Sequence, residues 1–270
     1  HANNYPAWIK EQSGGEMEVA YAYGHIDSPI GGMTTNAWCE KYGIQRCATI
    51  EELIEKSDRL IVLSPDNCEM HEELCRLPIN RKLEAAEELY GILLYCNAFT
   101  AELVRITTES RDLAERLPRL MKKVFSFSFD QEPEESAGKL LFVMESQEKI
   151  HKMFAQFGLS AARDVTLHVN YGMLEEDEER LAFLRGAFLS GGSVTDPAKR
   201  YHLELTTSHY KVSRETCALL LDAGFSPKET TRGGNSILYF KQSDMIEDFL
   251  TAIGAPVCAM GVMEAKVEKD

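Results

Sequence analysis

"LRGAFLSGG" (184–192) decides how this chain is read, together with its counterpart "LYGILLYCN" (89–97). Each is an apolar helical run with glycine in the third place, Gly186 and Gly91. A glycine or small residue takes the ninth place, Gly192 in one copy and Asn97 in the other. A helix with glycine on its packed side lets a second helix approach until the backbones nearly touch, because no Cβ stands between them. One such helix is weak evidence, since many packed helices have one. Two of them, each heading a similar succession of elements, point to a pair that packs on itself.

The succession is legible outward from each. After "KLEAAEELYGILLYCNAFT" (82–100), read as helix, come the strand "AELVRITTES" (101–110) and a helix over 111–125 interrupted by Pro118. The strand "GKLLFVMES" (138–146) and the helix "QEKIHKMFAQFG" (147–158) complete this copy. After "ERLAFLRGAFLSGGSV" (179–194), read as helix, come the strand 200–208, the helix 213–225, the strand 234–243 and the helix 244–254. The registers agree: Gly91 and Gly186 are 95 apart, "ITT" (106–108) and "LTT" (205–207) are 99 apart, and Gly138/Gly234, Ile150/Ile246 and Gly158/Gly254 are each 96 apart. Co-linear matches at nearly constant spacing indicate duplication, and two copies imply a pseudo-twofold domain rather than a solenoid.

The paired helices resemble those of LAGLIDADG homing endonucleases, whose helix ends in an aspartate that binds the cutting metal. That resemblance implies a two-lobed α+β domain. It also implies a carboxylate at the end of each helix to gather divalent ions. Here Cys96 and Gly191 hold those places, and neither is a hard oxygen ligand. Glu102 and Asp196 follow the helix ends and are poorly placed to substitute. The expectation is a fold without nuclease chemistry, no catalytic or metal-binding residues, and no cofactor.

"LAFLRGAFLSGGSVTDPAKRYHLELTTS" and "YFKQSDMIEDFLTAIGAPVCAMGVMEAKVEKD" resemble the WhiA family of bacterial sporulation and cell-division regulators, and the likeness covers about 82–270. The family implies degenerate LAGLIDADG-like repeats followed by a helix-turn-helix domain that makes most of the DNA contact. This sequence stops at Asp270, where such a domain would begin. The expected function is therefore a non-catalytic regulatory module of a DNA-binding transcriptional regulator. It would bind DNA weakly alone or act through a protein partner, and a protein-interaction domain without DNA binding is one alternative.

Residues 1–79 read differently. "MEVAYAYG" (17–24) is a short strand and "TTNAWCEKYG" (34–43) a helix stopped by Gly43. "TIEELIEKS" (49–57) opens with a capping-box pattern, "DRLIVLSPDN" (58–67) is a buried strand, and "EMHEELCRL" (69–77) is helical. Alternating strands and helices suggest a parallel α/β layer with one exposed edge. "KYGIQRCATIEELIEKSD" and "LSPDNCEMHEEL" resemble the Gfo/Idh/MocA oxidoreductases, with Pro65, Asn67 and His71 matching loosely a turn beside the nicotinamide cofactor. No G-x-G-x-x-G precedes the first strand, so the pyrophosphate-binding turn is missing. An NAD(P)-dependent oxidoreductase is the other alternative. The fold class expected for the whole chain is α+β: two tandem degenerate LAGLIDADG-like repeats (80–170 and 171–270) preceded by a partial Rossmann-like α/β segment (1–79).

Net charge is −14, and 1–79 and 80–270 each carry −7. That opposes strong autonomous nucleic-acid binding, which phosphate neutralisation drives, but allows a local basic stripe. Seven scattered cysteines without a C-x-x-C pair read as buried thiols in a reducing cytoplasm, and no histidine spacing suits zinc. No stretch approaches a membrane span, no signal peptide is evident, and the absent initiator methionine reads as a truncated start.

Strand alternation places Arg105, Thr107 and Glu109 on one face of the first copy's sheet. It places His202, Glu204, Thr206 and Ser208 on the corresponding face of the second. Lys199, Arg200, Arg232 and Lys241 flank that face. The candidate DNA contacts are Arg105, Thr107, Lys199, Arg200, His202, Thr206, Arg232 and Lys241, although Glu109 and Glu204 would repel phosphates and an ordinary solvated face competes with this reading. Arg116, Arg119 and Lys123 share a helical face read as solvated. "EEDEER" (175–180) reads as an acidic helix start, and "TRGGN" (231–235) as a hairpin turn.

Overall fold

The computed structural model describes residues 5–23, 34–58, 68–134, 138–160, 166–195 and 201–267. Two compact units divide the chain: 1–65 with 134–139, and 66–133 with 140–270.

The first unit holds helix α1 (Tyr5–Gln12), strand β1 (Tyr21–Ala22), helix α2 (Thr35–Tyr42), strand β2 (Gln45–Arg46) and helix α3 (Ile50–Lys56). Thr34 caps α2 and Gly43 ends it at φ 67°, a left-handed conformation that glycine adopts without strain. At α3 the Thr49 side chain accepts from the Glu52 amide, while Glu52 Oε2 reaches back to the amide of Ala48, one residue earlier than in a standard box. β1 and β2 pair in parallel over two residues each. The described part of the expected α/β layer is thus a two-stranded parallel ladder. The expected strand 58–67 falls almost entirely outside the described residues, as do Pro65 and Asn67.

The second unit begins earlier than the break expected at 79. Helix α4 (Cys68–Arg76) belongs to it, because Leu74 and Cys75 are buried in its core. Glu73 of α4 also accepts the amides of Val257 and Cys258 at the start of the last helix, at 2.8 and 2.9 Å.

The first copy then runs α5 (Lys82–Tyr95), β3 (Ala98–Phe99), β4 (Val104–Thr108), α6 (Arg111–Phe125), β5 (Leu140–Met144) and α7 (Gln147–Gln156). The second runs α8 (Asp177–Gly191), β6 (Gly192–Val194), β7 (Leu203–Thr207), α9 (Tyr210–Asp222), β8 (Lys228–Arg232), β9 (Asn235–Phe240) and α10 (Ser243–Ile253), followed by α11 (Pro256–Val267). The sheets are antiparallel, in orders β3-β4-β5 and β6-β7-β9-β8. Their registers repeat: Val104, Ile106 and Thr108 face Met144, Phe142 and Leu140, as Leu203, Leu205 and Thr207 face Phe240, Leu238 and Ser236. The fourth strand of the second sheet survives in the first as a single bridge, Gln131 to Val143.

α5 and α8 end earlier than their sequence patterns predict. α5 ends at Tyr95 rather than 100, because Asn97 Oδ1 accepts the amide of Thr107 at 2.7 Å and turns the chain into the sheet. α8 ends at Gly191 rather than 194, and Gly192 opens β6. Pro118 does not interrupt α6: the helix runs unbroken from Arg111, held by the buried side chains of Leu113, Leu117, Leu120 and Met121. Burial on one face outweighs the single lost backbone hydrogen bond. Glu176 and Glu179 form a capping box at α8, whose first turn is acidic as expected. "TRGGN" makes the β8–β9 turn, with Gly233 and Gly234 both at positive φ, 59° and 85°.

Candidate nucleic-acid interface

α5 and α8 cross at their glycines. A Cβ on Gly91 would lie 2.7 Å from the Ala187 amide nitrogen and overlap the Phe183 carbonyl oxygen. A Cβ on Gly186 would lie 2.8 Å from the Glu88 carbonyl carbon and overlap its oxygen. The backbones are in direct contact, as the spacing of "LYGILLYCN" and "LRGAFLSGG" anticipated.

A buried charge cluster locks this pair to its surroundings. Glu88, 1% exposed, takes a two-pronged contact from Arg116 at 2.6 and 2.9 Å and a third from Arg185 Nη1 at 3.1 Å. Arg116 also donates to the carbonyls of Cys75 and Leu77, and Arg185 to that of Ile253. Arg116 is therefore no part of a solvated face: it is 2% exposed, while Arg119 and Lys123 are exposed as expected. Periodicity placed the three together, but only the tertiary fold places a carboxylate beside the first.

The ends of the helices carry no hard metal ligand. The Cys96 thiol is buried, lies within 3.1 Å of the Leu93 carbonyl and 3.2 Å of that of Ala98, and is pushed up to about 12 by burial. It stays protonated at neutral pH. At Gly191 a Cβ would meet the Thr206 carbonyl oxygen at 2.5 Å and Tyr95 Cδ1 at 2.7 Å. An aspartate has no room there. Among the described residues no three acidic, histidine or cysteine side chains gather to hold a metal.

The outer faces of the sheets carry the polar residues, with the alternation expected. Val104 and Ile106 are buried and Arg105 is exposed; Leu203 and Leu205 are buried, and Glu204 and Thr206 lie partly open. On the second sheet the structure brings five expected residues, His202, Glu204, Thr206, Arg232 and Lys241, together with Tyr239 and Lys228. Glu204 Oε1 accepts from Arg232 Nη2 at 2.5 Å, and its Oε2 lies 3.1 Å from His202 Nε2. The His202 ring sits 5.6 Å from that of Tyr239, and Lys241 Nζ lies 5.3 Å from the Tyr239 centroid. Thr206 stands opposite Ile237 on the same face, and Lys228 opposite Tyr239. Sequence reading missed β8 and with it Lys228, because "KETTR" is polar throughout and all five residues are exposed. The signal available was the two-residue hairpin turn, which requires a strand on each side. Lys199 and Arg200 lie outside the described residues. Arg105 and Thr107 lie on the outer face of the first sheet, a separate sheet from that of the other candidates.

Glu204 does more than add negative charge. Burial pushes its carboxyl up, but the hydrogen bonds from His202 and Arg232, with the guanidinium charge, outweigh that and hold it below the usual carboxylate range. His71, matched loosely to a cofactor turn, lies instead on α4, with its ring edge-on to Phe188 at 6.2 Å; burial pushes it down to about 4.

Residues 180–270 match the family model described as the WhiA LAGLIDADG-like domain. The second repeat is WhiA-like. Over more of the chain, a probable cell division protein WhiA from Ruminiclostridium cellulolyticum is 30% identical over 208 residues, 74% of this chain and 66% of that protein. A WhiA of the same description from Staphylococcus aureus is 25% identical over 210 residues, covering 75% and 67%. The chain thus spans under two thirds of the length of the first of these relatives. The crystal structure of full-length DUF199/WhiA from Thermatoga maritima superposes with a TM-score of 0.60 at 23% identity, over 75% of this chain and 66% of that one. The N-terminal LAGLIDADG domain of DUF199/WhiA gives 0.54 at 24%, over 70% and 89%. The LAGLIDADG likeness expected from the helix pair and the WhiA likeness expected from the runs 181–208 and 239–270 are both matched; a Gfo/Idh/MocA likeness is not among these findings. Among the described residues no helix is long and apolar enough to cross a membrane.

Proposed function

We propose that this chain is the LAGLIDADG-like module of a WhiA-type regulator, without nuclease chemistry, which touches DNA weakly through the outer face of its second sheet. The observation that carries the loss of chemistry is the pair of helix ends, a protonated buried thiol at Cys96 and a glycine with no room for a carboxylate at Gly191. Support for DNA contact is local: Lys228, Arg232 and Lys241 stand on one sheet face of a protein whose net charge is −14. The relatives' names supply the cell-division context. The net negative charge favours a second reading, in which the same module docks a protein and the DNA contact lies elsewhere in the regulator. Neither the described residues nor the named relatives support the oxidoreductase alternative.

The test is fluorescence anisotropy of a labelled duplex titrated with the chain at several salt concentrations, with magnesium or manganese added in parallel. The expected result is weak binding with no cleavage. Its log–log salt slope should be about −3, near 0.9 per phosphate neutralised by three cations. Flat anisotropy at tens of micromolar would transfer the function to the protein-docking reading. Metal-dependent cutting would overturn the non-catalytic one.

A further inference from the structure

The sheet face proposed above contains an apparent contradiction. A carboxylate, Glu204, lies among the cations that would meet phosphate. Its side chain is only 14% exposed, while the Arg232 side chain it holds is 68% exposed. Arg232 comes from the far end of β8, at the hairpin turn, and its guanidinium reaches back over the outer face to Glu204 on β7, two strands away. The second oxygen of Glu204 holds His202, whose ring stands beside Tyr239.

An arginine has five N–H donors in a rigid fork. Spending one on Glu204 leaves the others for a ligand and fixes the plane in which they lie. A long side chain near a turn otherwise samples many rotamers, and ordering it on binding opposes affinity. We infer that Glu204 is a positioning residue, an acidic clamp that is itself braced by His202 and holds Arg232 over the outer face so that a phosphodiester meets donors already aligned. This rests on the DNA-contact reading of the same face.

The two roles open to Glu204 have opposite signs. If it acted only through its charge, removing that charge would tighten DNA binding. If it positions Arg232, removing it loosens binding even though the protein becomes less negative. The experiment compares duplex affinity for the wild-type chain, Glu204→Gln, Arg232→Ala and the double variant at one salt concentration, with circular dichroism confirming that each is folded. Glu204→Gln is expected to weaken binding roughly fivefold, and the double variant to bind no more weakly than Arg232→Ala alone, because the clamp acts only through its captive. Arg232→Lys, which keeps the charge but loses the fork, is expected to weaken binding as well and serves should Glu204→Gln fail to fold. Tighter or unchanged binding by Glu204→Gln, or full affinity in Arg232→Lys, would overturn the inference and leave the DNA reading standing. A wild-type chain that does not bind DNA would overturn both.

Discussion

At the scale of the residue, the two helix ends hold a buried thiol at Cys96 and a crowded glycine at Gly191. The spacing of the helix motif was enough to place Cys96 and Gly191 at the helix ends, and chemistry was enough to disqualify them as magnesium ligands. It could not show that Gly191 is walled in by Thr206 and Tyr95, a fact of strand placement. Nor could it show Arg116 turning inward, since a helical wheel records which residues share a face and not what that face meets. Glu87 is a further case that sequence leaves silent. It lies on α5, wholly buried, and neither of its carboxylate oxygens has a hydrogen-bond partner among the described residues. Burial first, then the charges of Glu179 and Glu84, push it up to about 8, against an opposing pull from Arg81. An unfolded glutamate titrates near ~4.3. Below that value both states hold the proton. As pH rises further, the unfolded chain ionises while the folded one keeps its proton, so stability falls until the folded carboxyl also ionises near 8. Glu87→Gln removes this liability. Its melting temperature should exceed the wild type's by on the order of 3 °C at alkaline pH and by little in mild acid. Thermal melts followed by circular dichroism at the two pH values decide it, and an equal gain at both would sink the titration account.

Elements were legible where one face is apolar and one polar. β4 and β7 followed from alternation, β9 from its apolar run although it is buried on both faces at Ser236, Ile237 and Leu238, and α6, α7, α9 and α10 from helical periodicity. The boundaries that failed did so for tertiary reasons. α5 stops where Asn97 grips the Thr107 amide, and α6 passes through Pro118 because its buried face holds it. β8 was missed because an edge strand exposed on both sides has no apolar pattern to read. The helix pair is the element-scale feature most sensitive to change. Gly186→Ala puts a methyl group into the Glu88 backbone, and neither helix can yield without disturbing the Glu88–Arg116–Arg185 cluster beside it. The expected loss is about 3 kcal/mol in urea unfolding. Gly261→Ala serves as the control, because its Cβ would meet nothing within 4 Å. It should be neutral or slightly stabilising, as alanine is the better helix former. A Gly186→Ala variant as stable as wild type would show that the helices can part more easily than their backbone contact implies.

At the scale of the molecule, the duplication was plain from spacing alone, and the register of β4 on β5 repeats that of β7 on β9. The boundary near 79 was misplaced because a composition change marks where a pattern begins, while a compact unit begins where its contacts do. α4 is tied into the second unit by its buried leucine and cysteine and by Glu73 on the amides of α11. Removing residues 1–65 should therefore leave a single cooperative unfolding transition, with a midpoint within roughly 3 °C of the intact chain. Loss of cooperativity would mean that the first unit is needed to fold the second. The contact between Gly91 and Gly186 has one more consequence. Two backbones that already touch have no clearance in which to slide or roll, so the joint between the halves has no play. The sheets it carries are set like the jaws of a locked gauge, and a ligand long enough to span both must fit their spacing or bend to it.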